Sequence, residues 1–240
     1  MSAKGKLDVS IGLSVAIVSV ADERPSVLVV HHVKREDALP FGPFDPLDHR
    51  TLEGGLRQWV ERQTYLGLGY AEQLYTFGDR GRHLPKPGED SRVVSVGYLA
   101  LTRQAAELKA PDTRWSDWYR YFPWEDWRDA RPALIDNSIL PALRQFARAA
   151  TGELAERRRD RIRLCFGTDG LSWDEEKVLE RYELLYEAGL VREAVRDGRK
   201  GVSATELGES MMFDHRRILA TAIARLRGKM KYRPVVFELM

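Results

Sequence analysis

Residues 39–82 read LPFGPFDPLDHRTLEGGLRQWVERQTYLGLGYAEQLYTFGDRGR. A proline-rich loop over 40–46 opens this stretch. From 48 to 64 the apolar spacing predicts a helix with Leu52, Leu56, Trp59, Val60 and Gln63 on one face. Gly54 and Gly55 are poor helix formers, so either the helix starts late or other atoms approach its backbone closely there. Residues 70–77 and 93–101 read as strands, joined by a loop that carries Arg80, Arg82, His83 and Lys86.

With Arg57 as its anchor, the stretch resembles the Nudix signature, G-x5-E-x7-R-E-U-x-E-E-x-G-U with U aliphatic. In that family a loop and one helix bring several glutamates around divalent metals that bridge a diphosphate, because hard cations need oxygen ligands. Here the residue after Arg57 is Gln58, the aliphatic position is Trp59, and the paired glutamates become Glu61 and Arg62. The first glutamate of the signature falls near Asp48 or His49, while Glu53 is displaced by several residues. Gln63 is an extra residue before Thr64, and Tyr65 stands where the signature has glycine. Arg62 is the most telling change: a guanidinium repels a cation and offers its donors to a phosphate instead. The resemblance thus implies a degenerate box that binds a diphosphate without activating water, with no catalytic residue and no metal.

The runs 69–82 (GYAEQLYTFGDRGR) and 92–102 (RVVSVGYLALT) resemble the segments that follow the box in ADP-ribose-type Nudix proteins. Residues 213–240 (FDHRRILATAIARLRGKMKYRPVVFELM) are similar to the closing helix and strand of the sensor domain in NrtR/NadQ-like regulators, the Nudix-related transcriptional regulators of NAD metabolism. Together the resemblance covers residues 7 to about 130 and 211–240. It implies an α/β fold, a Nudix-like α/β/α sandwich with a mixed sheet, interrupted by an inserted helical subdomain at 131–210. It also implies a nucleotide-sensing domain for ADP-ribose or a related NAD metabolite, a homodimer, and contact with DNA only through a winged-helix domain expected beyond Met240. Ligand binding would shift the dimer between two arrangements with a coupling energy on the order of 1–3 kcal/mol. The expected ligand-binding residues are Arg57, Glu61 and Arg62 on the helix, Arg80 and Arg82 on the loop as bidentate phosphate partners, and Tyr75 or Phe77 as an adenine platform. Arg57 has a structural role open to it as well, as ion-pair partner of Glu61 or Glu53.

Thirty-eight basic and 36 acidic residues leave a net charge of +2, so the chain as a whole carries no electrostatic commitment to nucleic acid. A single cysteine, Cys165, excludes an internal disulfide framework and reads as a buried small hydrophobe. No apolar run approaches a membrane span and the start MSAKGKLDVS has no apolar signal core, so the cytoplasm is the expected location.

Residues 9–20 and 26–33 are β-rich runs separated by a turn, which predicts an early antiparallel pair. Residues 121–127 (YFPWEDW) resemble the short strand and turn before a Nudix domain's last helix. Residues 139–150 and 172–188 show helical spacing, the second opening on Ser172 and Glu175 as a capping box and ending before Gly189. The run 157–163 (RRRDRIR) spreads around its helix beside Glu153 and Glu156 and reads as a solvated charged face rather than a phosphate grip. A helix with a small wing over 171–202 would make a DNA reader, but its acidic residues oppose that. Trp115, Trp118, Trp124 and Trp127 read as core or interface. His31 and His32 point to opposite faces of a strand and form no metal pair.

Two other functions fit the same residues. One is a Mg2+-dependent pyrophosphatase acting on ADP-ribose or a related diphosphate through Asp48, Glu53, Glu61 and Glu89. The other is a structural dimerisation domain, with a pocket filled by its own side chains.

Overall fold

The computed structural model describes residues 8–21, 24–31, 36–79, 91–102, 108–199 and 207–232. They divide into two compact units, 8–117 with 212–218, and 118–211 with 219–232. The helical subdomain expected at 131–210 lies within the second of these.

The first unit is built on β1 (Asp8–Ala21), long enough to pair with three strands. It turns into β2 (Arg24–His31) with the antiparallel register Val18↔Val27 to Ala21↔Arg24, as the two β-rich runs predict. Two short strands follow, β3 (Asp37–Ala38) and β4 (Phe41–Pro43), then helix α1 (Leu52–Thr64) and β5 (Ala71–Phe77). β6 (Ser91–Leu101) lies parallel to β1 from Asp8↔Ser91 to Val18↔Leu101, and antiparallel to β5. β7 (Thr113–Asp117) adds to β2. Among the described residues the result is a seven-stranded mixed sheet of order β3-β2-β1-β6-β5, with β4 and β7 on side branches.

Strand alternation sorts the side chains of β1 and β6 to two faces. Leu13, Val15, Ile17, Val96, Tyr98 and Ala100 join Leu56 and Val60 of α1 in one core cluster. On the opposite face Gly97 lies against Ile218, in the first turn of α6 (His215–Tyr232). A β-carbon built on Gly97 would come within 3.0 Å of the isoleucine. His215, 2% exposed, fastens the same face. Its Nδ1 accepts the Leu39 amide (3.1 Å), so the ring proton sits on Nε2 and is donated to Ser14 Oγ (3.3 Å). Helix α1 thus packs on one face of the mixed sheet and the first turn of α6 on the other, in the α/β fold expected.

The second unit is helical. Residues 121–127 form no strand: a 3-10 turn over Pro123–Glu125 places Trp124 and Glu125 in the interior. One π-helical turn, Ile135–Ile139, runs into α2 (Leu140–Arg148), followed by α3 (Gly152–Phe166), α4 (Val178–Glu187), α5 (Arg192–Arg196) and the continuation of α6 from Leu219. α4 starts six residues later than its capping-box reading, and the segment before it, partly exposed, is engaged by Arg181 instead. The carbonyl oxygens of Cys165 and Asp174 accept from Arg181 Nη1 at 3.0 and 2.8 Å. Arg181, fully buried, forks onto Glu125 (Nε–Oε1 2.5 Å, Nη2–Oε2 3.0 Å) and lies 3.8 Å over the Trp173 ring. Arg227 reaches the same carboxylate at 2.6 Å. Burial works against the Arg227 charge, but the neighbouring Glu125 carboxylate more than offsets it and the guanidinium pKa lies above its usual value. Trp118 and Trp124 are buried, and Trp127 packs on Trp173 with ring centres 4.6 Å apart.

No helix among the described residues is long and apolar enough to cross a membrane.

Candidate functional site

Helix α1 and the loop before it carry the residues that resemble the Nudix signature, and each difference from that signature has a local consequence. Thr51 caps the helix, its hydroxyl accepting from the Gly54 amide at 2.9 Å. Where the first glutamate of the signature falls, His49 is buried and Asp48 is exposed. His49 Nδ1 accepts the Asp45 amide at 3.0 Å, and its ring lies so close to Gly55 that a β-carbon there would meet Nδ1 at 2.7 Å. This contact explains Gly55, where the backbone is approached closely, while at Gly54 a β-carbon would meet the capping Thr51 hydroxyl at 3.0 Å; the helix also begins later than residue 48.

Trp59, in the aliphatic position, fits because Gly42 has no side chain. A β-carbon on Gly42 would stand 2.1 Å from the indole, and the indole Nε1 donates to the Pro43 carbonyl at 2.9 Å. Gln63 pairs with the backbone of Phe41, accepting from its amide (3.0 Å) and donating to its carbonyl (2.8 Å). These contacts bind the outer side of α1 to β4, while Leu56 and Val60 bury its inner side.

Arg57 is committed within the protein. It forms an i,i+4 ion pair with Glu53 (2.7 Å) and donates to the carbonyls of Leu68 and Gly69, the latter at 2.8 Å. The guanidinium thereby holds the loop after the helix against the helix's first turns. The core side of this corner is closed by Tyr98, whose hydroxyl lies 3.5 Å from Gln73 Oε1. Burial, and then the charge of Glu53, push the Tyr98 pKa above its ordinary value, so the phenol stays protonated. Sequence reasoning missed Tyr98 and Gln73 because each looks like an ordinary strand residue.

Glu61 and Arg62 are exposed on α1, and Arg62 lies over the Trp59 ring at 5.4 Å. Tyr65 ends the helix with φ +57° and ψ +22°, its amide donating to Glu61 O at 2.9 Å. The left-handed conformation that a glycine would adopt here without strain is adopted by a tyrosine.

Tyr75 and Phe77 meet edge to face with ring centres 5.0 Å apart, but Tyr75 is 60% exposed and Phe77 is buried. A bulge between Gln73 and Thr76 interrupts the pairing of β5 with β6. Arg217, ion-paired with Asp79 at 2.9 Å, covers the Phe77 ring at 4.6 Å. Arg80, Arg82, Glu89 and His32 lie outside the described residues. His31 Nδ1 lies 3.2 Å from Asp37, which also binds Arg114 at 2.5 Å.

For a metal, the helix offers Glu53 and Glu61, two turns apart and roughly 12 Å along the axis. A Mg2+ ion shared between them would have to draw Glu53 away from Arg57. No three His, Cys, Asp or Glu side chains converge as a metal site among the described residues.

No protein family matches the chain, and no curated protein matches it. Among solved structures it is similar to the NUDIX domain of Shewanella oneidensis NrtR complexed with ADP ribose, at 23% identity over 49% of this chain and 78% of that one, with a TM-score of 0.41. It is also similar to Shewanella oneidensis NrtR complexed with a 27mer DNA, at 20% identity, 57% and 62% coverage and a TM-score of 0.38. A third is the bifunctional NMN adenylyltransferase/ADP ribose pyrophosphatase from Francisella tularensis, at 16% identity, 47% and 36% coverage and a TM-score of 0.37. The chain spans less than two thirds of the length of the second and third.

Proposed function

We propose that the sheet unit binds a nucleoside diphosphate derivative such as ADP-ribose without hydrolysing it, as the sensing module of a transcriptional regulator that acts as a homodimer. The fate of the carboxylates carries this reading. Glu53 is engaged by Arg57, whose remaining donors hold the Leu68 and Gly69 carbonyls, and the residue beside Glu61 is a guanidinium. Such a helix attracts phosphate oxygens more readily than it gathers cations. The helix keeps a left-handed turn at the glycine position of the signature and is fixed to β4 by Trp59 and Gln63, so its exposed residues stand on a rigid support.

Calorimetric titration with ADP-ribose tests it. Saturable binding is expected, weakened about tenfold in Arg62→Ala by loss of a charge-assisted hydrogen bond. Equal affinities for the two proteins would remove Arg62, and with it the main support for a phosphate-binding helix.

A further inference from the structure

The arginine run of α3 does not form one solvated face. Arg157 pairs with Glu153 at 2.5 Å, Arg158 covers the Phe146 ring at 3.7 Å, and Arg161 pairs with Glu187 at 2.5 Å. Arg159 and Arg163 are left on another side of the helix, one turn apart, and both line a groove of about 420 Å3. From α2 the same groove receives Arg144 and Arg148, again one turn apart. All four are exposed, whereas the apolar lining residues Leu140 and Ile162 are buried.

Four guanidiniums meet two carboxylates in this groove, which leaves a net positive charge. Arg144, Arg148 and Arg159 make no hydrogen bond or ion pair with another described residue. Asp136, within electrostatic reach of Arg144, is hydrogen-bonded by Arg131 instead at 2.9 Å. Asp160 and Asp169 line the groove as well: Asp160 approaches Arg163 at 4.0 Å, and Asp169 accepts from the Thr168 hydroxyl at 3.4 Å. Two like-charged i,i+4 pairs on facing helices destabilise an isolated fold, since such pairs repel. An anion between them converts that repulsion into bidentate attraction.

We infer that this groove is a binding site for a small polyphosphate-bearing molecule, its phosphates held between Arg144 and Arg148 of α2 and Arg159 and Arg163 of α3, its apolar part resting on Leu140 and Ile162. The volume is that of a small-molecule site, which runs roughly 300–1,000 Å3. The spacing favours two neighbouring anionic groups, because residues one helical turn apart hold their side chains roughly 5–6 Å apart at Cβ. This site belongs to the helical unit and does not depend on the box.

The test is calorimetric titration of the whole chain with inorganic tripolyphosphate and with ATP, without metal. The wild type is compared with Arg144→Gln, Arg159→Gln and, as a control on the same helix, Arg157→Gln. Saturable one-to-one binding is expected, weakened about tenfold by each groove substitution and unchanged by Arg157→Gln. ATP is expected to bind more tightly than tripolyphosphate through its base and sugar. Three results would overturn the assignment: no saturation by millimolar ligand, an equal loss in Arg157→Gln, or displacement of ATP by a short DNA duplex at lower phosphate concentration, which would make the groove part of a polymer-binding surface. The variants are all at exposed positions, and circular dichroism is recorded alongside to check that each is folded.

Discussion

Tyr65 provides a quantitative test of the turn that ends α1. It holds φ +57° at the end of α1 with 62% of its surface exposed, so packing contributes little to that conformation. A non-glycine residue in the left-handed region costs about 1–2 kcal/mol. Replacing it by glycine removes that cost but adds about 0.5–1 kcal/mol of unfolded-state entropy. Tyr65→Gly and Tyr65→Ala lose the same ring, so their comparison isolates the backbone. The glycine variant should be the more stable of the two by about 0.5–1 kcal/mol. At exposed Gln58, in the middle of the same helix, the order must reverse, with Gln58→Gly less stable than Gln58→Ala by about 1 kcal/mol. Urea unfolding followed by tryptophan fluorescence reads both differences as shifts of a few tenths molar, given slopes of about 1–3 kcal/mol/M. Alanine equalling or exceeding glycine at position 65 would refute the claim that this turn demands a glycine's conformation.

Two further outcomes follow from the helical unit. Glu125→Gln leaves the guanidiniums of Arg181 and Arg227 facing a neutral amide, and should destabilise by about 3–5 kcal/mol in denaturant unfolding; a loss below about 1 kcal/mol would mean the triad is not held as described. Burial pushes the Cys165 thiol up to about 11 from 9.0, against smaller opposing effects of Arg181 and Arg161. Because the folded value is the higher one, the neutral thiol's contribution to stability is complete below pH 9 and is lost as the pH rises towards 11. At pH 8 iodoacetamide should therefore label Cys165 slowly until urea unfolds the chain, and rapid labelling of the folded protein would contradict its burial.

β1, β2 and β6 were legible because strands buried on both faces write themselves as Val-rich sequence, and each overlaps its expected run; β5 (AEQLYTF), exposed along much of its length, matches the run 70–77 without that signal. β7 was not legible, since TRWSD has neither length nor apolar alternation and is a strand only because β2 has an edge to offer it. The α4 boundary was misread because a capping-box pattern is local, while Arg181 needs the carbonyls of Cys165 and Asp174 from outside the helix. In the candidate site, the residues at the positions of the signature could be read one by one. The Arg57 contacts with Leu68 and Gly69 could not, because backbone carbonyls leave no mark in a sequence. Arg159 and Arg163 were hidden in the same way: within RRRDRIR nothing distinguishes the arginines that find partners from those that face α2.

The most direct test of the central claim is to incubate the purified chain with ADP-ribose, with and without Mg2+, while recording binding heat and separating the products by chromatography. The account expects the same affinity in both conditions and no AMP or ribose phosphate formed. Cleavage that appears only with Mg2+ would contradict it, and would require the Glu53 carboxylate to leave Arg57 and join a metal site.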